Sequence, residues 1–389
     1  MTMDFNESEH VAMFRDTVRR FVARECPPDK VAQWDRNDHV PVSLLHKMGE
    51  LGLCTLTVPE EYGGIGHDVI AMTAVIEELA RASMGVAGLY ISSACYGGFN
   101  IAASGSEEQK RRFLPDIAAG KLSFAYGLSE PNVGADLASV ETRAEIQGNE
   151  VVINGAKRWC SGADTVDYIL CLVRSDAEAP RYKNLSFVIV PPSTPGISII
   201  PVSTMGSRGQ AACDVSFDNV RIPLDNILGG REGWNRAWSQ LAGPALEAEK
   251  LEVPALALGV AEAAMAEAWQ YAEERKQFGQ LISGFQSIRH KLADGKARLQ
   301  SCRLMLYWSA WLIETGRPTA AETSMTKAYV TETCRDVVLE CQKVLGAYGY
   351  AEGFAMERYV RDVIATTIFG GSTAIQLNNI ANRLGLAKG

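Results

Sequence analysis

Five short stretches of the chain combine residue types that could hold a flat, charged organic ligand and act on it. "FAYGLSEPNVGAD" (Phe124–Asp136) carries an apolar run to Ser129, after which Pro131 and Gly134 force an open loop. The backbone N–H groups of such a loop can hydrogen-bond the edge of a heterocycle, and the same pattern also describes an ordinary turn. "KRWCSGAD" (Lys157–Asp164) puts Trp159 at the end of a strand-like run, followed by small residues. An indole there could cover an aromatic ring or pack into a core. "YAEERKQFGQLISGFQ" (Tyr271–Gln286) brings Arg275 and Lys276 to a helix end, which suits the helix dipole alone and would also suit a phosphate. "QKVLGAYGY" (Gln342–Tyr350) is a helix end followed by glycines, where a backbone can approach a ligand closely. "TTIFGGSTAIQLNNI" (Thr366–Ile380) has no ionisable side chain at all. Its adjacent glycines, Gly370 and Gly371, interrupt helix-forming sequence at roughly 1 kcal/mol each, a cost that something should offset.

Three kinds of element must position these stretches. Up to about Lys121 the apolar spacing is helical, as in "HVAMFRDTVRRFVAREC" and "VIAMTAVIEELARAS". From Leu122 the period shortens, and "EVVINGAKRW", "YILCLVRS", "LSFVIVPP", "ISIIPV" and "CDVSFDNVRIP" read as strands. "AEIQGNEVVING" reads as a hairpin turning at Gly148-Asn149. Long helices return over Trp234–Arg275, Phe285–Thr315, Ala320–Leu345 and Ala355–Ile368, and the short loops between them favour an antiparallel four-helix bundle. Segregated helices, strands and helices imply an α+β fold, not an alternating βα one. The expected domains are 1–121 (helical), 122–232 (β) and 233–389 (helical bundle).

Bulk properties narrow the function. The chain has 389 residues, 47% of them hydrophobic and 22% charged, as in ordinary globular proteins. Its net charge of −8 argues against a nucleic-acid partner, which needs a basic surface. Nine scattered cysteines without a CxxC pair suggest reduced, buried thiols, and five histidines without ligand spacing suggest no metal site. No signal peptide is evident, and the most apolar helix is broken by Glu262 and Glu267, so no membrane span is expected. GxGxxG, P-loop and GxSxG motifs are absent, which removes the usual support for a nicotinamide Rossmann enzyme, a P-loop NTPase or an α/β-hydrolase.

In order along the chain, "PEEYGG", "SEPNVGAD", "RWCSGAD", "GSRGQAACDVSFDNVRIP", "ERKQFG", "VLGAYGY", "RYVRD" and "GGSTAIQ" resemble the acyl-CoA dehydrogenase family of flavoenzymes, over nearly the whole chain. The resemblance implies an N-terminal helical domain, a central β-barrel-like domain and a C-terminal four-helix bundle. It also implies a homotetramer of paired dimers with FAD between the β domain and the bundle. Tyr126, Leu128 and Ser129 would line the flavin edge, and Trp159 and Ser161 would cover the ring near N5. Arg275, Gln286, Lys343 and Gly346 would reach FAD bound mainly by the neighbouring subunit. Ser372 and Thr373 would open the last helix against FAD with free N–H groups. Two departures stand out: Lys343 occupies a usual glutamine position, and Ala135 replaces a serine that often touches substrate. The implied substrate is an acyl-CoA, or a carrier-bound acyl thioester, and the implied electron acceptor is an electron-transfer flavoprotein in the cytoplasm.

In that family a carboxylate removes the α-proton of the thioester while a hydride leaves the β-carbon. Most members place the glutamate where this chain has Gly370, within Phe369-Gly370-Gly371-Ser372, so this stretch lacks the base. A minority, including isovaleryl-CoA and some long-chain dehydrogenases, carry it on the first long bundle helix, here "LAGPALEAEKLEVPALALG". Counting back ten residues from Gly259 lands on Glu249, and Glu249-Lys250 then matches a Glu-Arg pair, with Lys250 and Gly371 on the substrate side. Glu247 and Glu252 are the competing acids, and Glu247 and Glu249 lie about 200° apart on a helix. Gly370 would keep its backbone N–H for the thioester carbonyl and leave side-chain space for a carboxylate from another helix or for a branched substrate. Related readings are an acyl-CoA oxidase, an enoyl-CoA reductase or a non-catalytic member of the family.

Overall fold

A computed structural model describes residues 6–241 and 244–386, with the side chains of 244–246 and 249 outside that description. The N-terminal part holds α1 (Glu9–Glu25), α2 (Pro28–Asn37), α3 (Ser43–Glu50), α4 (Val69–Ala82), α5 (Met84–Tyr90), α6 (Asn100–Ser104) and α7 (Glu107–Ala118). Local chemistry starts several of them. The Ser8 hydroxyl accepts from Val11 N–H at 3.3 Å before α1, Asp68 accepts from Ala71 N–H at 2.8 Å before α4, and Ser106 and Gln109 form a reciprocal capping box on α7. Between α5 and α6 the segment Ile91–Phe99 is a π-helix, a rare conformation common at functional sites.

Seven strands follow: β1 (Phe124–Gly127), β2 (Arg143–Gln147), β3 (Glu150–Lys157), β4 (Tyr168–Arg174), β5 (Leu185–Val190), β6 (Ile197–Val202) and β7 (Ala212–Pro223). They form one sheet in the order β1-β4-β2-β3-β7-β6, with β5 also paired to β4. The hairpin turns where expected, with Gln147 opposite Glu150 and Gly148 at φ 63°. β5 and the middle of β4 are buried throughout, which explains their uninterrupted apolar runs. Lys157 ends β3, so Trp159 lies just beyond the strand.

The C-terminal part holds α8 (Ala237–Leu241), α9 (Pro244–Glu274), a small β8 (Lys276–Gln277) and β9 (Gln280–Leu281) hairpin, α10 (Gln286–Glu314), α11 (Ala320–Leu345), α12 (Ala355–Thr366) and α13 (Thr373–Arg383). The helix expected over Trp234–Arg275 begins at Ala237 and is described over Ala237–Leu241 and Pro244–Glu274, residues 242 and 243 lying outside the described residues. α9 also carries Pro254 in its interior. The helix expected to reach Ile368 stops at Thr366, ahead of the two glycines.

Packing joins what composition separates. One core runs from Phe14, Phe21 and Leu45 through Val75 and Leu79 into Leu251, Leu258, Leu299 and Val338, so the N-terminal helices and the bundle share an interior. Gly259 permits this contact: a Cβ there would lie 2.3 Å from the Glu77 carbonyl oxygen of α4. Charges reinforce it. Glu77, fully buried, takes Arg303 at 2.5 Å, Arg15 at 3.2 Å and the Tyr307 hydroxyl at 2.7 Å, which ties α1, α4 and α10. The β domain keeps a core of its own around Val151, Ile169, Val188 and Val215. All nine cysteines are buried and none is in a disulfide, and no group of metal-ligating side chains is found among the described residues. No described helix is long and apolar enough to cross a membrane.

Candidate active site

The ends of β1 and β3 lie side by side and bring five expected site residues together. Half-buried Tyr126 stacks on Tyr96 of the π-helix, with ring centroids 4.2 Å apart. Asn100 donates to the Tyr126 hydroxyl and, at 3.1 Å, to the Tyr96 carbonyl. Arg158 N–H donates to the Ser129 carbonyl at 2.8 Å, which joins the Leu128–Ser129 loop to the stretch carrying Trp159. The core-packing alternative for Trp159 does not hold: the indole is 53% exposed, and the Arg158 guanidinium sits 4.8 Å from its ring. Its φ of 65° is an unfavourable backbone state for a bulky residue and holds the ring out at the strand end. Ser161 is exposed beside it, between the buried anchors Cys160 and Gly162, whose N–H groups bond to Cys213 and Ala211 carbonyls at 2.9 and 2.8 Å. Ala135 is exposed on the same loop as Ser129.

Loop 203–211 connects this ledge to the helices. Gln210 lies against Gly162 and Gly88, and Gly209 N–H bonds Asp38 at 2.7 Å. Ser207 N–H bonds Asp362 of α12 at 2.7 Å, while Arg361 pairs with Asp35 at 2.7 Å. β domain, N-terminal helices and bundle therefore meet here.

Beyond α12 the chain reaches Gly370 and Gly371, both with positive φ, 63° and 78°. Gln376 secures the turn by donating to their carbonyls at 3.0 and 3.3 Å. Among the described residues the Gly370 N–H has no intrachain partner, so it is available as a donor. The space beside Gly370 is not open, contrary to expectation. A Cβ there would lie 2.7 Å from Val253 Cγ2, so α9 itself fills the place of a side chain.

That contact orients α9. Glu249 lies one turn before Val253, on the same face of the helix; its side chain lies outside the described residues. Glu247 is about 120° round from Val253. It is held by Lys250 at 3.0 Å and by the Thr323 hydroxyl of α11, which also commits the Lys250 ammonium. Glu252, only 3% exposed, is about 100° away from Val253.

Arg275, Gln286, Lys343 and Gly346 gather at the opposite end of the bundle. α9 has 31 residues and is roughly 46 Å long; Glu249 is in its second turn and Arg275 directly follows its end. One cofactor cannot touch both ends. Arg275 lies 5.6 Å from the Tyr348 ring centroid, Gln286 begins α10 exposed, and exposed Lys343 pairs with Glu340. Gly346, at φ 60°, has nothing within 4 Å of a Cβ position, so a ligand can meet its backbone. Ser372 and Thr373 are at the Gly370 end. Ser372 makes no side-chain cap, Thr373 bonds Glu332 at 2.6 Å, and among the described residues the Ala374 and Ile375 N–H groups have no carbonyl partner. A helix N-terminus open in this way suits a phosphate.

Sequence reasoning passed over the π-helix with Tyr96, Asn100, Val253 and the buried pair Glu130–Lys157. Both members of the pair sit inside motifs already singled out, and a charge in each of two apolar runs was the available signal.

Residues 8–121, 125–220 and 232–385 match the family models for the N-terminal, middle and C-terminal domains of acyl-CoA dehydrogenase. The chain belongs to the acyl-CoA dehydrogenase family. It is 33% identical to a probable acyl-CoA dehydrogenase of Bacillus subtilis over 98% of this chain and 100% of the relative. It is 31% identical to the caffeyl-CoA reductase–Etf complex subunit of Acetobacterium woodii, over 97% and 98% of the two chains. Butyryl-CoA dehydrogenase from Megasphaera elsdenii superposes with a TM-score of 0.92 at 28% identity, over 98% of this chain and all of that one. Acyl-CoA dehydrogenases are flavin-dependent, and their helical–sheet–helical architecture is the one found here.

Proposed function

We propose that this acyl-CoA dehydrogenase binds FAD and oxidises an acyl-CoA thioester to its trans-2-enoyl form, with Glu249 as the base for the α-proton. The observation that carries the reading is Val253 packed on Gly370. It aligns the face bearing Glu249 with the turn where most relatives hold their glutamate. FAD fits the residues present on three counts. Trp159 is displayed instead of buried, Arg275 is half-buried at a helix end with no carboxylate partner among the described residues, and α13 opens with N–H groups that have no carbonyl partner among them.

When bound, FAD supplies the acceptor for the β-hydride at its N5. Glu249 takes the α-proton, and the Gly370 N–H donates to the thioester carbonyl as enolate charge develops. Tyr126, Leu128 and Ser129 hold the flavin edge, and Trp159 and Ser161 exclude water from its face. Gly371, Ala135 and Lys250 border the substrate. Arg275, Gln286, Lys343 and Gly346 serve the cofactor of a neighbouring subunit, which the length of α9 supports, in a cytoplasmic homotetramer with domains 1–121, 122–232 and 233–389. Electrons leave to an electron-transfer flavoprotein, as the name of the Acetobacterium woodii relative's complex suggests. That relative also supports a second reading, the same residues working in the enoyl-CoA reductase direction.

Anaerobic bleaching of the flavin by a panel of acyl-CoAs tests the proposal. Glu249→Gln should lower the reduction rate at least ~10²-fold, the scale of a lost general base. Near-wild-type reduction by Glu249→Gln, or an equal loss in Glu247→Gln, would remove Glu249 from its role.

A further inference from the structure

Two buried ionisable side chains at the site take no part in the proton transfer. Lys157 is 1% exposed and Glu130 is 6% exposed. The Lys157 ammonium donates to Glu130 Oε1 at 2.8 Å and to the Leu128 carbonyl at 3.1 Å. The Glu130 carboxylate also accepts from Thr142 N–H at 2.9 Å and from Glu141 N–H at 2.6 Å. Burial works to raise the Glu130 carboxyl, but the Lys157 ammonium and these hydrogen bonds outweigh it and hold it below its ordinary value.

A buried ion pair is weak evidence for stability, since apolar residues of similar volume often do as well. The contact to Leu128 gives this one a second consequence. The Leu128–Ser129 peptide is trans and planar, so its C=O and N–H point in opposite directions. Holding the Leu128 oxygen inward on Lys157 turns the Ser129 N–H outward. Among the described residues that N–H has no partner within the chain. The Ser129 carbonyl is fixed independently by Arg158 N–H, so the outward N–H has little freedom to swing.

We propose that Lys157 is a positioning residue: its ammonium, anchored by Glu130, locks the Leu128 peptide so that the Ser129 N–H is presented to the flavin edge. This rests on the FAD reading above. The pair acts through the backbone and touches neither substrate nor cofactor.

The experiment titrates apo-protein with FAD, following flavin fluorescence, the visible spectrum and thermal melting. Wild type comes first: failure to take up FAD at all would overturn the functional reading and this one with it. Lys157→Met leaves Glu130 buried without its cation and should lower both melting temperature and FAD affinity. The neutral double variant Glu130→Gln/Lys157→Met separates the two roles. It should recover most of the melting temperature, yet bind FAD still ~10-fold more weakly with displaced visible bands, because no ammonium holds the Leu128 carbonyl. Wild-type affinity and spectrum in the double variant would reduce the pair to a structural staple. Should neither variant fold, hydrogen exchange on the wild type decides. The Ser129 amide should exchange freely in the apo-protein and slow at least ~10-fold with FAD, and an unchanged rate overturns the proposal.

Discussion

A side chain at position 370 tests the packing on which the functional reading depends. Gly370 has φ 63°, where a Cβ costs about 1–2 kcal/mol. That Cβ would also lie 2.7 Å from Cγ2 of Val253, a stiff β-branched residue only 7% exposed. Overpacking against such a neighbour adds about 1–3 kcal/mol. Gly370→Ala should therefore destabilise the protein by about 2–5 kcal/mol. An unfolding entropy of ~2.1 cal/mol/K per residue gives ~0.8 kcal/mol/K if all 389 residues melt together, so Tm should drop by about 2–6 °C. Scanning calorimetry on a double-mutant cycle isolates the steric part. In a Val253→Ala background the effect of Gly370→Ala should shrink to the backbone cost of about 1–2 kcal/mol, a coupling of about 1–3 kcal/mol. The same geometry limits rescue of the base. Gly370→Glu should restore little turnover to Glu249→Gln while Val253 is present, and more once Val253 is alanine. A Gly370→Ala protein that melts within about 1 °C of wild type, or a cycle without coupling, would refute the packing and with it the alignment of Glu249.

Trp159→Phe should displace the flavin absorbance bands yet change Tm by no more than about 1 °C, because the indole is 53% exposed and contributes little burial; a large loss of stability with a normal spectrum would return Trp159 to a structural role. Arg275→Ala should raise the Kd for FAD at least ~10-fold, the scale of one charge-assisted hydrogen bond, as measured by fluorescence titration of apo-protein; unchanged affinity would place the clamp elsewhere. The Asp362 carboxyl is pushed up to about 7 by burial and by Asp35, against the opposing pull of Ser207 N–H, Arg361 and Arg358. The folded state then binds a proton that the unfolded chain releases above about pH 4, so stability falls as pH rises from there through 7. Asp362→Asn should flatten that fall in melts taken from pH 4.5 to 7.5, and an unaltered slope would show that another group titrates.

Much of this protein was legible from residue order alone, because the relevant physics is local. Helical spacing marked α1, α4, α10 and α11, short alternating or wholly apolar runs between turn residues marked β3 through β7, and Gly148-Asn149 marked the hairpin, since each pattern records which sides of an element meet water. The motifs around Ser129, Trp159, Arg275 and Gly370 could be found for a related reason: open loops and helix ends need glycine, proline and cap residues at set positions. What stayed hidden were contacts between residues far apart in the chain. Trp159 was open to either a core or a covering role until its backbone held it out at the end of β3. Gly370 read as vacant space, and only the approach of α9 put Val253 into it. Nothing in residue order joined Glu130 to Lys157, and the N-terminal helices and the bundle read as separate domains, although they share one core. Periodicity states that a face is buried but not what covers it; the covering partner is chosen by three-dimensional packing, where steric fit and the pairing of buried charge are decided together.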